Sequence, residues 1–227
     1  MRIGIDAMGG DKAPGPEIQG ALEARELLQE GDRIVLVGRE PILREHLSVS
    51  PDWEKWIEIR HAEQVIGMNE SPIEALRTKP NSSAAVLFEM QKNGELDAGI
   101  SAGNTGAVVA AAQMSLRRLS GVHRPGISIL SPNFKGVVAI CDVGANVNCR
   151  PQHLHQYGVM SSIYLNALYG VENPRVGLLS IGEEDAKGNS LTKKTRELMR
   201  EDPKLNFIGN VEGRDLFTGT CDVVICD

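Results

Sequence analysis

Ser101-Ala102-Gly103-Asn104-Thr105-Gly106 lies between an apolar run, Ala98-Gly99-Ile100, and a small-residue run over 107–112. The order reads as strand, glycine-rich turn, helix. Two glycines let backbone N–H groups approach a ligand closely, and the N-terminus of the following helix favours negative charge. This composition suits an anion or phosphate cradle, with Ser101, Asn104 and Thr105 as its side chains and Gly103 and Gly106 as its close-approach points. It is not a Walker A loop, which requires G-x-x-x-x-G-K-[ST]. Asn104 or Thr105 would serve equally well as a helix N-cap.

Three further polar turns follow apolar runs. Asp6-Ala7-Met8-Gly9-Gly10-Asp11 follows the first. Asp142-Val143-Gly144-Ala145-Asn146 follows residues 137–141, and Gly182-Glu183-Glu184-Asp185-Ala186-Lys187-Gly188 follows residues 176–181. Lys187 has the chemistry to hold phosphate or an oxyanion; paired with Glu183 or Glu184 it would be a solvated surface lysine instead. Asp6, Asp11 and Asp142 are of the type that binds magnesium, yet such residues more commonly bond turn amides, and no metal is expected. Asn146 either bonds substrate or closes its own turn. Arg77, Lys79, Ser82 and Ser83 form a short cationic and hydroxyl stretch suited to phosphate or to an acidic partner, or to a solvated helix end. Arg117 and Arg118 suit docking of an acidic protein, or a solvated helix end. His153 and His155 are two apart, so they lie on different helix faces and form neither a metal pair nor a catalytic pair.

The elements that must carry these turns are short β-branched runs alternating with helical periodicities. Strands are expected at 2–6, 33–38, 57–61, 97–101, 127–130, 136–142, 175–181, 206–209 and 222–226. Helices are expected between most of them. Residues 16–30 place Ile18, Ala21, Leu22 and Leu28 on one face behind Pro16. Residues 104–118 space Val108, Ala112, Ser115 and Leu119. Residues 152–169 space Leu154, Tyr157, Met160, Tyr164 and Leu168, and residues 190–201 form a polar helix with Leu191, Leu198 and Met199. This alternation predicts an α/β fold of three layers, a mostly parallel sheet with helices on both faces, over residues 1–227 as one domain. In such folds ligands sit at the carboxyl ends of strands, where the four turns gather. Val223-Val224-Ile225-Cys226-Asp227 reads as a buried strand, which normally runs on into a covering helix, so the domain is expected to be incomplete at its C-terminus.

Composition bounds the function. The chain has 227 residues, 41% hydrophobic and 24% charged, as in ordinary globular domains. A formal net charge of −6 argues against a general nucleic-acid binder. The four cysteines, Cys141, Cys149, Cys221 and Cys226, form no C-x-x-C and are expected to be buried, reduced thiols. There is no signal-peptide pattern and no apolar run long enough to span a bilayer.

Several segments in order resemble the PlsX-type phosphate acyltransferases of bacterial fatty acid and phospholipid synthesis. They are 5–11; His61-Ala62-Glu63; Ser71-Pro72; Ala75-Leu76-Arg77; Lys79 with Ser82-Ser83; 101–107; Arg124-Pro125; 142–146; 182–184; 187–189; Gly209 to Gly213; and Cys221 to Val224. Ser180 stands where that family usually has Asn. The resemblance implies a fold like those of phosphate acetyltransferases and of isocitrate and isopropylmalate dehydrogenases. It implies transfer of a fatty acyl group from acyl carrier protein to inorganic phosphate, the acyl phosphate then feeding a membrane glycerol-3-phosphate acyltransferase. It implies no cofactor, a homodimer, and a cytoplasmic protein with peripheral contact at the inner face of the membrane. Lys187 and Asn104 are the expected catalytic groups. Asp6, Gly9, Gly10, Asp11, Arg77, Lys79, Ser82, Ser83, Ser101, Gly103, Thr105, Gly106, Asp142, Gly144, Asn146, Glu183 and Glu184 are the expected substrate-binding set. The alternatives are an inactive scaffold that binds carrier protein or phosphate, and a nucleotide-linked dehydrogenase. The second is weakened by the lack of G-x-G-x-x-G after the first strand.

Overall fold

The computed structural model describes residues 1–227 and divides into two compact units, 1–117 and 118–227. The sequence reading set no boundary inside the chain. Each unit carries its own sheet.

The first unit contains β1 (Arg2–Asp6), α1 (Gly15–Glu23), β2 (Arg33–Gly38), α2 (Glu40–Leu47), β3 (Ile57–His61), α3 (Pro72–Thr78), α4 (Ser83–Lys92), β4 (Ala98–Ile100) and α5 (Thr105–Ser115). Its four strands are all parallel, in the order β3-β2-β1-β4. Residues 34–37 of β2 are Ile-Val-Leu-Val, and all four are buried. An unbroken apolar run is what a parallel strand covered on both faces requires. One face packs Ile34 and Leu36 with Ile18, Ala21, Leu43 and Leu47; the other packs Val35 and Val37 with Leu87, Met90 and Leu96.

The second unit contains β5 (Ser128–Asn133), β6 (Gly136–Cys141), α6 (Pro151–Tyr169), β7 (Val176–Leu179), α7 (Ser190–Glu201), β8 (Phe207–Val211), α8 (Asp215–Thr218) and β9 (Val223–Ile225). The sheet order is β5-β6-β9-β7-β8; only the β5–β6 hairpin is antiparallel. The last strand in sequence is thus central, and all three of its residues are buried. Thus the expected α/β architecture with mostly parallel strands and covering helices is present.

Three helical expectations are adjusted. The run over 16–30 is α-helical only to Glu23 and continues as a 3-10 turn, Ala24–Leu27, where Leu27 faces solvent. The helix expected over 104–118 stops at Ser115; Arg117 has a φ of 64°, and Leu119 lies exposed beyond the helix. On α6 the buried face runs through Leu154, Tyr157, Gly158, Ser161 and Leu165, so Tyr164 and Leu168 point outward. Gly158 explains the rotation. A β-carbon there would lie 3.3 Å from the Met199 methyl, so the small residue lets α7 pack close. No helix is long and apolar enough to cross a membrane.

Candidate functional site

The four polar turns do sit at the carboxyl ends of strands, two in each unit. In the first unit β1 and β4 are neighbours, so the turn after Asp6 meets the turn after Ile100. Asp6 is 2% exposed. Its Oδ2 accepts from the Ser101 hydroxyl at 2.7 Å, and its Oδ1 from the Met8 N–H at 3.3 Å. Ser101 Oγ in turn accepts from the Gly103 N–H at 3.1 Å. The two turns touch through glycine: a β-carbon on Gly9 would lie 2.5 Å from Asp6 Oδ2 and 3.0 Å from the Gly103 nitrogen. Only a residue without a side chain fits there. The Ser101 hydroxyl is therefore a donor to Asp6 and part of the turn's own bonding.

Asn104 is the N-cap of α5. Its Oδ1 accepts from the Ala107 N–H at 3.1 Å. Its amide nitrogen donates to the carbonyls of Gly67, Met68 and Glu70 at 3.0–3.3 Å. The side chain thus joins α5 to the loop before α3 and keeps no free donor. The expectation of Asn104 as a catalytic donor gives way, in this conformation, to a positioning role. Thr105 and Gly106 open the helix and are exposed. Their backbone N–H groups are the ones that a first helical turn leaves without partners. Gly106 also packs closely: a β-carbon there would meet Pro72 Cγ at 2.6 Å.

The cavity beside Asp6, about 260 Å³, is lined by Ile5, Asp6, Pro16, Glu17, Gly20, Ile100, Ser101 and Ala102. Glu17 Oε2 is buried there without a partner. Two carboxylates repel a phosphate, so of this turn only the Thr105–Gly106 edge is electrostatically suited to an anion. Asp11 is exposed, and Gly10 accommodates the Glu17 carboxylate.

The stretch over 77–83 is not one patch. Arg77 is exposed on α3. Lys79 Nζ donates to the Val65 carbonyl at 2.8 Å and pairs with Glu70 at 2.5 Å; that ammonium, followed by the Gly67 N–H, holds the Glu70 carboxyl below its ordinary range. Ser82 caps α4 by accepting from the Ala85 N–H, and both Ser82 and Ser83 are buried. Of this set only Arg77 faces outward without an engaged side chain.

In the second unit Asp142, 5% exposed, closes its own turn. Its Oδ1 accepts from the N–H groups of Ile127 (2.8 Å) and Ala145 (3.2 Å), and its Oδ2 from the Asn146 amide (2.8 Å). Asn146 also donates to the Pro125 carbonyl and meets the Tyr157 hydroxyl at 3.0 Å. Both residues are thereby engaged in shaping the turn around the exposed Gly144. Burial pushes the neighbouring Cys141 thiol up to about 12 and Cys149 up to about 11.

The turn over 182–188 differs. Glu183 pairs with Arg214 at 2.9 Å, and Asp185 with Arg200 at 3.0 Å. Arg196 Nε approaches Asp185 at 3.6 Å. The Glu184 carbonyl accepts from the Asn210 amide at 3.1 Å and from the Lys187 N–H at 3.0 Å. Lys187 itself is exposed and pairs with neither Glu183 nor Glu184. Its ammonium is the free cation of the turn.

Sequence reasoning missed two features here. Arg196 and Arg200, four apart on α7, share a face, and that spacing was the available signal. The other is a cavity of about 570 Å³ at the ends of β7 and β9. Leu154, Leu178, Leu179, Ile181 and Leu191 give it an apolar wall, and Ser180, Gly188, Asn189 and Thr192 a polar one. Ser180 Oγ is buried without a partner.

Comparison with known proteins supplies the context. The family described as "Fatty acid synthesis protein" matches residues 1–227. A protein of Trichlorobacter lovleyi named phosphate acyltransferase is 46% identical over 227 residues, covering 100% of this chain and 65% of its own length. One of Desulforamulus reducens with the same name is 47% identical, with 67% of its length covered. The chain thus spans about two thirds of the length of these relatives. Among solved structures, the EutD phosphotransacetylase from Staphylococcus aureus superposes with a TM-score of 0.63 at 15% identity, covering 99% of this chain and 77% of that one. A branched-chain phosphotransacylase from Enterococcus faecalis gives 0.60 at 15% identity, covering 98% and 78%. At that identity the likeness establishes a shared fold.

Proposed function

The chain belongs to the family of fatty acid synthesis proteins, and on that premise we propose that it carries the phosphate-handling part of a phosphate acyltransferase. The reaction is acyl transfer from the thioester of acyl carrier protein to inorganic phosphate, giving acyl phosphate for phospholipid synthesis and the free thiol. The observation that carries this reading is the likeness over the whole chain to proteins named phosphate acyltransferase.

Phosphate is already a nucleophile at neutral pH, so no covalent side chain is needed. A phosphate oxygen adds to the thioester carbonyl carbon, and the carbonyl oxygen becomes an oxyanion. That intermediate collapses with loss of thiolate, which takes a proton from solvent. The protein's task is to hold phosphate and to stabilise the developing charge. Lys187 supplies a free ammonium in a turn where Glu183 and Asp185 are tied to arginines. Within the first unit, the Thr105 and Gly106 N–H groups form a donor edge of their own. The apolar wall formed by Leu154, Leu178, Leu179, Ile181 and Leu191 suits the acyl chain. Asp6, Ser101, Asn104, Asp142 and Asn146 act as positioning residues. A homodimer and contact with the inner membrane face belong to the same proposal.

The test is phosphate-dependent thiol release from a long-chain acyl-carrier thioester, run on this chain beside the full-length Trichlorobacter lovleyi relative. Release by both assigns the chemistry to these 227 residues. Release by the relative alone means that its remaining third completes the site. Absence of release from both, with no phosphate binding, refutes the reading.

A further inference from the structure

Beside the turn over 142–146, the second unit holds a concentration of positive charge. Arg118, His123, Arg150, Gln152 and His153 line a cleft of about 480 Å³. Arg124 lies close enough to disfavour the charged form of His153, as do Arg150 and His123. No carboxylate lines this cleft, and none of the three arginines belongs to an ion pair. In a chain with a net charge of −6 that is a local inversion of sign. Arg118 and Arg150 share one cleft without a carboxylate on its walls, and the arrangement makes physical sense when an anion compensates them.

The cleft is also preorganised. Arg118 Nη1 donates to the His123 carbonyl, which fixes the guanidinium across the loop. The Gln156 side chain accepts from the His123 N–H at 2.9 Å and donates to the Gly121 carbonyl at 2.8 Å, pinning that loop to α6. His153 Nδ1 accepts from the Arg150 N–H at 3.2 Å, which orients its ring. The His123 and His153 rings meet edge to face, with centroids 6.5 Å apart. The result is a polar concavity with fork-shaped donors and imidazoles on its walls. Its size exceeds one phosphoryl group, leaving space for a substituent.

We propose that this cleft binds a phosphoryl group, either as free phosphate or as a phosphate ester on a larger ligand, through Arg118, Arg150 and His153. Guanidinium groups match phosphoryl oxygens in two-point geometry, and charge-assisted bonds to phosphate are the strong ones. The inference does not rest on acyl transfer, since none of the cleft's lining residues is given a role in that reaction. Burial and the surrounding cations hold His153 below its ordinary range, so a bound anion must raise it.

The chain has five histidines, of which His46 and His61 lie in the first unit, so imidazole proton resonances offer a local reading with internal controls. The experiment titrates His153 by NMR in chloride, in inorganic phosphate and in methyl phosphate at matched ionic strength. His153→Gln assigns the resonance. Both phosphates are expected to raise the His153 pKa while leaving His46 and His61 in place. Arg150→Ala is expected to weaken the phosphate affinity read from this shift by roughly tenfold, the scale of one charge-assisted contact. Arg150→Lys should restore part of it. The tighter of the two phosphates identifies the source, free ion or ester. An unmoved His153, or an equal shift in Arg150→Ala, overturns the proposal. So does a shift with polyglutamate but not with phosphate, which would make the cleft a docking surface for an acidic protein. Thiol release assayed on the same samples reports on acyl transfer separately; its absence would not alter the histidine result.

Discussion

The turns over 101–106 and 182–188 both follow a parallel strand and lead to a helix, yet they present opposite kinds of donor. In the first, side chains are engaged inward. Ser101 donates to buried Asp6, the Asn104 amide nitrogen serves three carbonyls, and glycine fills the contact with the neighbouring turn. What remains outward is backbone N–H. In the second, Glu183 and Asp185 are engaged with arginines, and what remains outward is the Lys187 ammonium together with the Glu184 carboxylate. A rigid backbone edge can be built only where side chains saturate the turn. Here the cation stays unpaired while two of its three acidic neighbours are held by arginines.

The sharpest way to test that contrast is Lys187→Ala. Losing one donor that meets transition-state charge typically costs ~10²–10³ in kcat. That loss is expected here with an unchanged melting temperature, because the exposed side chain has no partner to leave behind. A fall in melting temperature with a small loss of kcat would make Lys187 structural and erase the contrast. Gly9→Ala tests the other turn, and the expected pattern is reversed. The added methyl collides with the Asp6 carboxylate and with backbone at Gly103. Overpacking of that kind costs about 1–3 kcal/mol, so unfolding in denaturant should shift to lower concentration, with activity lost in parallel. Activity lost at constant stability would mean that the two turns can separate without harm.

The units differ in a second way. All four cysteines lie in the second, with burial driving Cys141 up to about 12 and Cys221 up to about 11. A raised folded pKa gives stability that is complete below the unfolded thiol value and is lost as pH rises through the folded one. The unfolded thiols ionise near 8.5–9, roughly their free value, so stability falls from there upward. Hydrogen exchange should show that alkaline softening in the strands around Cys141 and Cys221 before the first unit. Native Cys141 and Cys221 should also resist a maleimide at pH 8 and react after unfolding. Equal softening of both units, or rapid native labelling of either thiol, would contradict the burial on which this rests.

Strand placement was legible because the apolar runs are short and continuous. All nine strands fall where residue type put them, the first three with the expected ends and the others with ends moved by at most three positions. Helix faces were less legible. On α6 small residues rather than large ones mark the contact face, and a count of apolar positions cannot see that Gly158 and Ser161 allow closer packing. The candidate residues were found by type, yet their jobs were not. Asp142, Asn146 and Asn104 look the same in sequence whether they bond a ligand or a turn. Only the distances to Ile127, Pro125 and Gly67 show the turn bonds. The cavity at the ends of β7 and β9 draws on five separate segments, a combination that no local pattern contains.

The smallest expected effect concerns what aims Lys187. Arg200 grips Asp185 through both carboxylate oxygens, and Arg196 approaches the same group from the same helix face. Both groups of the Arg200–Asp185 pair are exposed, and such pairs contribute little to stability. Arg200→Ala is therefore expected to leave the melting temperature unchanged. It frees the turn to move, so the ammonium is less often in place. A loss of a few-fold in kcat at constant KM follows if orientation alone is affected, well short of the ~10²–10³ for Lys187 itself. Combined with Lys187→Ala it should add nothing, since a turn without its cation has nothing to aim. An additive loss in the double variant would show that Arg200 acts on the reaction by itself, and the turn would then offer two cations rather than one.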